Sequence, residues 1–233
     1  MSIRTDPSVT RGGHALVVGG SMAGLLAARV LADQFEQVTI VERDLLPEGV
    51  ENRKVAPQGR HVHALLPRGL AGTERMASGL VGELIPDGTI AFDSAAENRW
   101  YKYGGYRARF ESGRVSVMMS RPLLERRIRR RVDALPNVIV LPERDVDGLT
   151  DSEAADRARV TGVTLRRRRA ENGTTETLSA DLLVDVGGRG SRALAWMESL
   201  GYEWPQEERI KIGFGYTTRL YRRPEKMSKE TRP

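Results

Sequence analysis

The stretch "HALVVGGSMAGLLAARVLADQFEQVTIVERD", His14 to Asp44, limits what this chain can fold into more than any other. Residues 14–20 form an apolar run of strand length, 22–34 carry apolar residues at helical spacing, and 37–42 are a second apolar run closing in an acid. Strand, glycine-rich turn, helix and strand in that order make a β-α-β unit. The helix carries the chain back, so the two strands lie parallel in one sheet.

Such a turn holds a dinucleotide when its first glycine lets the chain reverse, its second lets the backbone approach a pyrophosphate, and its third lets helix and strand pack closely. Gly19 and Gly24 stand in the first and third places, and Ser21 stands in the second. A serine costs space there but brings a hydroxyl. The anion is held chiefly by backbone N–H groups and the positive end of the helix, so we expect the site to survive, helped by the freedom of Gly20. The acid expected about 20 residues further on is Glu42, well placed for a ribose hydroxyl. Gly19, Gly20, Ser21, Met22, Ala23, Gly24, Glu42 and Arg43 are therefore candidate cofactor-binding residues. The competing reading is a nucleotide-free α/β unit whose turn is merely eased by glycine.

Composition narrows the chemistry. The 233 residues, 39% hydrophobic, suffice for a large core and one or two domains. No cysteine is present, which excludes disulfides, thiolate metal sites and cysteine nucleophiles. The three histidines, His14, His61 and His63, leave little for a metal. An organic cofactor is the expected carrier of any chemistry. No apolar run approaches the ~20 residues of a membrane span and Met1 to Gly13 lacks the apolar centre of a secretory signal, so no integral membrane segment and a cytoplasmic location are expected.

The net charge of +6 and pI of about 9.9 raise the question of a nucleic-acid partner. Arg126, Arg127, Arg129, Arg130 and Arg131 share a predicted helix, 121–135, with Leu124, Ile128, Val132 and Leu135. That spacing makes an apolar stripe and puts most of the charge on a solvated side. No helix-turn-helix, zinc or RNA-recognition pattern accompanies it, so no nucleic-acid partner is expected. Arg166 to Arg169 precede the turn "ENGT", where strand alternation splits them between two faces of a hairpin arm.

The rest reads as mixed α/β. Between about Arg53 and Gly113 glycines, prolines and aromatics thicken and the pattern turns irregular. "VSVMMS" is then a short strand, Ser120 the N-cap of the helix with Pro122 in its first turn. "NVIVL", "ARVTGVTLRRRR" and "TTETLSADLLVDVGG" follow as strands, with "TDSEAADRA", residues 150–158, as a loop. In "NRWYKYGGYRARF" the aromatics Trp100, Tyr101, Tyr103, Tyr106 and Phe110 either line a substrate pocket or fill core, and clusters of this kind are more often core.

Several segments together resemble a family, the FAD-dependent monooxygenases related to para-hydroxybenzoate hydroxylase. They are "VVGGSMAGLLAARVL", "VTIVERD", "RKVAPQGRHVHALLPRGL", "SRPLLERRIRRRV" and "DLLVDVGGRGSRALAWMESLGY", in that order along nearly the whole chain. The resemblance implies a Rossmann-like FAD/NAD(P)-binding α/β fold with an incomplete substrate-binding sheet. It implies an FAD-binding domain in 1–60 and 114–195, and a partial substrate-binding region in 61–113 and 196–233. It also implies FAD as cofactor, NAD(P)H as electron donor, and oxygen transfer, a hydroxylation or epoxidation, to a small aromatic, polyketide-like or isoprenoid substrate. Arg121 is similar to the family arginine that reaches the cofactor's polar chain. Gln58, Arg60, His61 and His63 are similar to the loop under the flavin, and Gly188 lies in the second glycine turn, near the pyrophosphate. That turn departs from the pattern at Gly187, where the family often has Asp or Thr.

"IKIGFGYTTRLYRRP" is expected to be the first strand of the substrate sheet. A further glycine–aspartate segment of the family has no counterpart here. Its absence implies a flavin face open on one side, covered by a second chain or a second copy, or else a non-catalytic paralogue or one half of a split flavoenzyme. A reductase or halogenase on the same scaffold is the third reading, although the tryptophan-bearing halogenase signature is not visible.

Overall fold

The computed structural model describes residues 10–54, 56–152, 159–169, 174–219 and 221. In chain order the elements are β1 (Gly12–Val18), α1 (Met22–Leu31), β2 (Phe35–Val41), β3 (His63–Leu65), α2 (Pro67–Met76), α3 (Leu80–Leu84), β4 (Ile90–Asp93), β5 (Tyr101–Lys102), β6 (Gly105–Tyr106), β7 (Val115–Met119) and α4 (Arg121–Asp133). β8 (Val138–Leu141), β9 (Arg144–Ser152), β10 (Arg159–Arg167), β11 (Thr175–Ser179), β12 (Leu182–Asp185) and α5 (Ala193–Ser199) follow. The chain divides into two compact units, residues 1–48 with 128–211, and residues 49–127 with 212–233.

The first unit is built on a four-stranded sheet in the order β12-β1-β2-β8, with every pair parallel. β1 is interior, and its residues Ala15, Leu16 and Val17 are fully buried, as a strand covered on both faces requires. Alternation sends Leu16 to one face. There it packs with Val41, Val163 and Leu165 beneath a three-stranded antiparallel sheet, β11-β10-β9. Helix α1 runs antiparallel to the strands it joins and buries Gly24, Leu25 and Ala28. Asp181 fastens the start of β1 to the start of β12, its Oδ2 accepting the N–H groups of Gly13 at 2.8 Å and His14 at 3.0 Å. The His14 and Gly13 amides hold that carboxyl below its usual range.

The second unit carries a three-stranded antiparallel sheet, β3-β7-β4, with α2 and α3, and a two-stranded hairpin, β5-β6. β7 is the strand expected at "VSVMMS", whereas β3 to β6 with α2 and α3 lie inside the stretch that reads as irregular from sequence, where β3, β5 and β6 are only two or three residues long and carry no readable period. The start of α4 is as its sequence predicts: Leu123 N–H reaches Ser120 Oγ at 3.3 Å.

Several expectations are corrected. The arginines of α4 are not mainly solvated: Arg129 is buried, Arg126, Arg127 and Arg131 are half-buried, and Arg130 alone of the five is exposed. Long guanidinium side chains lie back along the protein surface, where Arg127, for one, pairs with Asp87. Arg166 to Arg169 are all exposed, and Arg166 and Arg168, two residues apart, both reach Asp145. Arg166 Nε lies 2.9 Å from Asp147, and Arg169 pairs with Glu143 at 3.2 Å. The run "TTETLSADLLVDVGG" is two strands, β11 and β12, broken at Ala180 and Asp181. Residues 150–152 of the expected loop belong to β9, and 153–158 lie outside the described residues. The segment 209–219 forms no ladder with any described residue, although Ile210, Ile212, Phe214 and Tyr216 alternate as a strand's would and all are exposed. Alternation predicts a strand's faces, but a strand exists only where its amides find a neighbour.

Candidate functional site

The carboxyl ends of β1, β2 and β12 lie side by side in the first unit. After β1 the chain turns through Gly19, whose φ of +111° is one an L side chain rarely adopts. Its N–H donates to Val41 O at 2.8 Å, which ties the turn to the end of β2. Ser21 then takes an extended backbone, φ −92°, at the N-cap of α1, and its carbonyl accepts the N–H of Leu25 at 2.9 Å. Gly24 is the tightest of the described glycines: a Cβ built there would stand 1.7 Å from Gly19 O. The requirement for glycine at the third place is therefore met by direct steric exclusion. Met22 and Ala23 form the first turn of α1, whose N–H groups have no intrahelical acceptor and point past the end of β1.

Glu42 follows β2 and is buried, 4% exposed. Its Oε2 accepts Gly20 N–H at 2.7 Å and its Oε1 accepts Asp44 N–H at 3.0 Å. The acid thus braces the glycine turn itself.

The second turn leaves β12 through Val186 and Gly187 into a single tight turn, Gly188–Gly190. Val186 N–H continues the ladder onto Val18 O at 2.9 Å, and Val186 O lies 3.0 Å from where a Gly19 Cβ would be, so the two turns are in contact. Asp185, the last residue of β12, folds its carboxylate over the turn. Its Oδ1 accepts Gly187 N–H at 2.8 Å and its Oδ2 takes a short hydrogen bond from the Ser191 hydroxyl. Gly188 has φ +62° and nothing within 4 Å of where its Cβ would be, so the backbone there faces open space. Arg43, exposed at the end of β2, brings Nη1 to 4.0 Å from the Cβ direction of Gly190.

Of the candidate residues, Gly19, Gly20, Ser21, Met22, Ala23, Gly24, Glu42, Arg43 and Gly188 thus come together in the first unit. Arg60 and Arg121 belong to the second. Arg60 is exposed at the end of a short turn, Pro57–Arg60. Arg121, at the first position of α4, pairs with the buried Glu125 at 3.5 Å, and Arg53 meets the same carboxylate at 3.0 Å. Burial first, and then the Arg121 charge, push the imidazole of His63 below its ordinary pKa. His61 Nδ1 lies 2.7 Å from Thr218 Oγ1, a hydrogen-bonded structural role, and its ring contacts Tyr216. The aromatics of 98–110 are not core: Tyr103 is 95% exposed and Tyr106 70%. A hairpin of two-residue strands has no interior face on which to bury them. Trp100, Lys102, Tyr103, Gly105, Tyr106 and Arg107 line an open cavity of about 390 Å³.

Sequence reasoning passed over Asp185 as a functional residue and took Ser191 only as part of the turn. The signal was present as an acid ending a strand two residues before a glycine pair, with a serine six residues on, the spacing of a side chain that closes a turn on itself.

A parallel sheet with a glycine turn and an acid at the carboxyl ends of adjacent strands is a Rossmann-like fold, and solved FAD-dependent monooxygenases and halogenases share it. Among solved structures, a variant of PqsL from Pseudomonas aeruginosa superposes with a TM-score of 0.59 at 20% identity, covering 85% of this chain and 48% of that one. The myxobacterial chondrochloren halogenase CndH, a variant of FAD-dependent halogenases, gives 0.57 at 21% identity over 78% of this chain and 38% of its own. The p-nitrophenol 4-monooxygenase PnpA of Pseudomonas putida DLL-E4 gives 0.56 at 17%, over 80% and 44%. In sequence the chain is similar to Protein Rv3254 of Mycobacterium tuberculosis, 34% identical over 223 residues, which are 91% of this chain and 45% of that protein. The chain thus spans about half the length of the curated relative it matches. No protein-family model matches it. No helix among the described residues is long and apolar enough to cross a membrane.

Proposed function

We propose that this chain is the cofactor-gripping part of an FAD-dependent oxidoreductase, a NAD(P)H-dependent monooxygenase acting on a small organic substrate. The observation that carries the reading is the convergence of Gly19–Gly24, Glu42 and Gly187–Ser191 at one edge of the parallel sheet. The residues fit such a cofactor. The two turns leave a backbone surface without side chains, open at Gly188, for a pyrophosphate, and the N-terminus of α1 supplies amide donors and positive potential. Glu42, which braces Gly20, is the acid assigned to a ribose hydroxyl in this proposal. Arg43 is a further candidate of the first unit; of the second unit's candidates, Arg121 is assigned to the cofactor's polar chain and Arg60 to the loop under the flavin.

FAD, when bound, supplies the redox chemistry, with NAD(P)H as reductant and dioxygen as oxidant. The protein's own residues bind and orient. In the same reading, residues 1–60 and 114–195 serve the cofactor, and 61–113 with 196–233 serve the substrate. A second chain or a second copy covering the open cofactor face belongs to it too, and the oligomeric state in solution tests that part.

Flavin fluorescence titration tests the core of the proposal. The wild-type chain should bind FAD, and Glu42→Ala and Gly19→Val should bind it more weakly, by roughly 1.5–3 kcal/mol for a hydrogen bond to a charged acceptor. Equal affinity in all three overturns the assignment. If FAD binds but a panel of phenols, polyketide-like aromatics and isoprenoids yields no oxygenated product with either nicotinamide nucleotide, the non-catalytic binding reading replaces the enzyme.

A further inference from the structure

We propose that Asp185 is the positioning residue of the second glycine turn. It holds Ser191 inward, so that the turn presents its backbone, and not the serine hydroxyl, to the anionic part of a cofactor. The inference deepens the FAD reading and rests on it for the identity of that cofactor, but its geometry stands alone.

A hydroxyl has one proton to give. The Ser191 proton is committed to Asp185 Oδ2, and Ser191 Oγ in turn accepts Ala193 N–H at 3.1 Å. Toward a phosphate Ser191 therefore offers only acceptor lone pairs, which an anion avoids. Asp185, for its part, accepts with both oxygens. With Gly187 N–H on one oxygen and Ser191 on the other, it closes a ring across the turn from residue 185 to 191. What faces outward is the backbone around Gly188, with open space beside it.

The same clasp explains Gly187. A Cβ there would stand 3.0 Å from Asp185 Oδ1 and 3.4 Å from Ser191 Cα, so the carboxylate occupies the space that a side chain at 187 would need. The acid that the resemblance leads one to expect at 187 is here supplied from 185, on the inner side of the turn.

Replacement by asparagine separates the two properties of Asp185. In Asp185→Asn the side-chain carbonyl still accepts Gly187 N–H, while the amide NH₂ donates to Ser191 Oγ, so the clasp stays closed. Asp185→Ala opens it. We expect FAD affinity to fall tenfold or more in Asp185→Ala and to stay within about threefold of wild type in Asp185→Asn. Ser191→Ala should lose less than Asp185→Ala, and the double variant Asp185→Ala/Ser191→Ala should be no worse than Asp185→Ala alone, because the two residues act as one unit. Additive losses, or a loss in Ser191→Ala as large as in Asp185→Ala, would assign Ser191 directly to the cofactor and overturn the proposal. So would Asp185→Asn behaving as Asp185→Ala does.

Amide hydrogen exchange of the FAD-free protein across residues 187–191 reads the clasp without any cofactor. Faster exchange in Asp185→Ala, with Asp185→Asn like wild type, supports it, and no change in either variant refutes it. If the wild-type chain binds no FAD, the proposed function fails while the clasp is still decided by exchange alone.

Discussion

The two glycine turns sit on adjacent parallel strands and reach the same edge of the sheet, yet they are held by opposite means. The first is closed by close packing. Gly24 has no room for a single carbon against Gly19 O, Gly20 is buried against Glu42, and the carboxylate that braces it is itself 4% exposed. The second is closed by a polar clasp on the surface, where Gly187 to Gly190 are all exposed and Gly188 has empty space beside it. A turn fixed by packing tolerates no added atom. One fixed by hydrogen bonds tolerates atoms but not the loss of a partner. If the comparison is right, an added methyl group should be ruinous at Gly24 in the first turn and mild at Gly188 in the second.

The largest effect is expected from Gly24→Ala. The atom in the way is a backbone oxygen, which cannot swing aside, so β1 and α1 must separate. We expect a loss of about 4 kcal/mol or more, seen as a fall of roughly 10 °C in melting temperature or as failure to fold. A melting point within a degree or two of wild type would show that the turn has slack and that packing does not close it.

Glu42→Ala should come next. It strips the acceptor from Gly20 N–H and Asp44 N–H, the first of them buried, at a cost of about 3 kcal/mol. Denaturant unfolding of the cofactor-free chain measures this separately from any loss of a ribose contact. A stability change below about 0.5 kcal/mol would mean that solvent replaces the carboxylate, and that the first turn is no more enclosed than the second.

Gly188→Ala sharpens the contrast from the other side. The only obstacle is the left-handed φ of +62°, since a Cβ meets nothing within 4 Å. The strain costs about 1 kcal/mol, far less than the single carbon at Gly24. FAD affinity should fall by more than this, because the methyl group enters the open space assigned to the pyrophosphate. Equal losses of stability and affinity would place the cofactor elsewhere.

The difference between the turns also decides how legible each was. The first unit was readable where a period or a steric rule operates. The runs 14–20 and 37–42 foretold β1 and β2 to within two residues, and the glycine spacing foretold a position that excludes Cβ. Glu42 was found by its distance along the chain, but not its bond to Gly20, since spacing says nothing of which donor an acid will meet. Asp185 was missed for a related reason: it ends an apolar run, where it reads as the strand's boundary. In the second unit, strands of two or three residues carry no period, and an aromatic cluster that composition assigns to core proved exposed because its hairpin has no interior face. The strand expected at "IKIGFGYTTRLYRRP" does not form over its described residues, since pairing is a property of neighbours and not of the segment.

The smallest effect should come from Ser21→Gly, which tests the residue that departs from the usual glycine. Ser21 has an extended backbone with φ −92°, a conformation any residue adopts, so glycine relieves no strain there. At an N-cap, exchange of serine for glycine costs only a few tenths of a kcal/mol. Ser21 is the N-cap of α1, and the amide donors of the helix's first turn are unchanged by the substitution. FAD affinity should therefore stay within about threefold of wild type, with the melting temperature nearly constant. A gain of a hundredfold, ~2.7 kcal/mol, would mean that the serine side chain keeps the pyrophosphate off the backbone. The first turn would then be closed on its cofactor face as well as on its packed face, and cofactor binding would fall to the second turn alone.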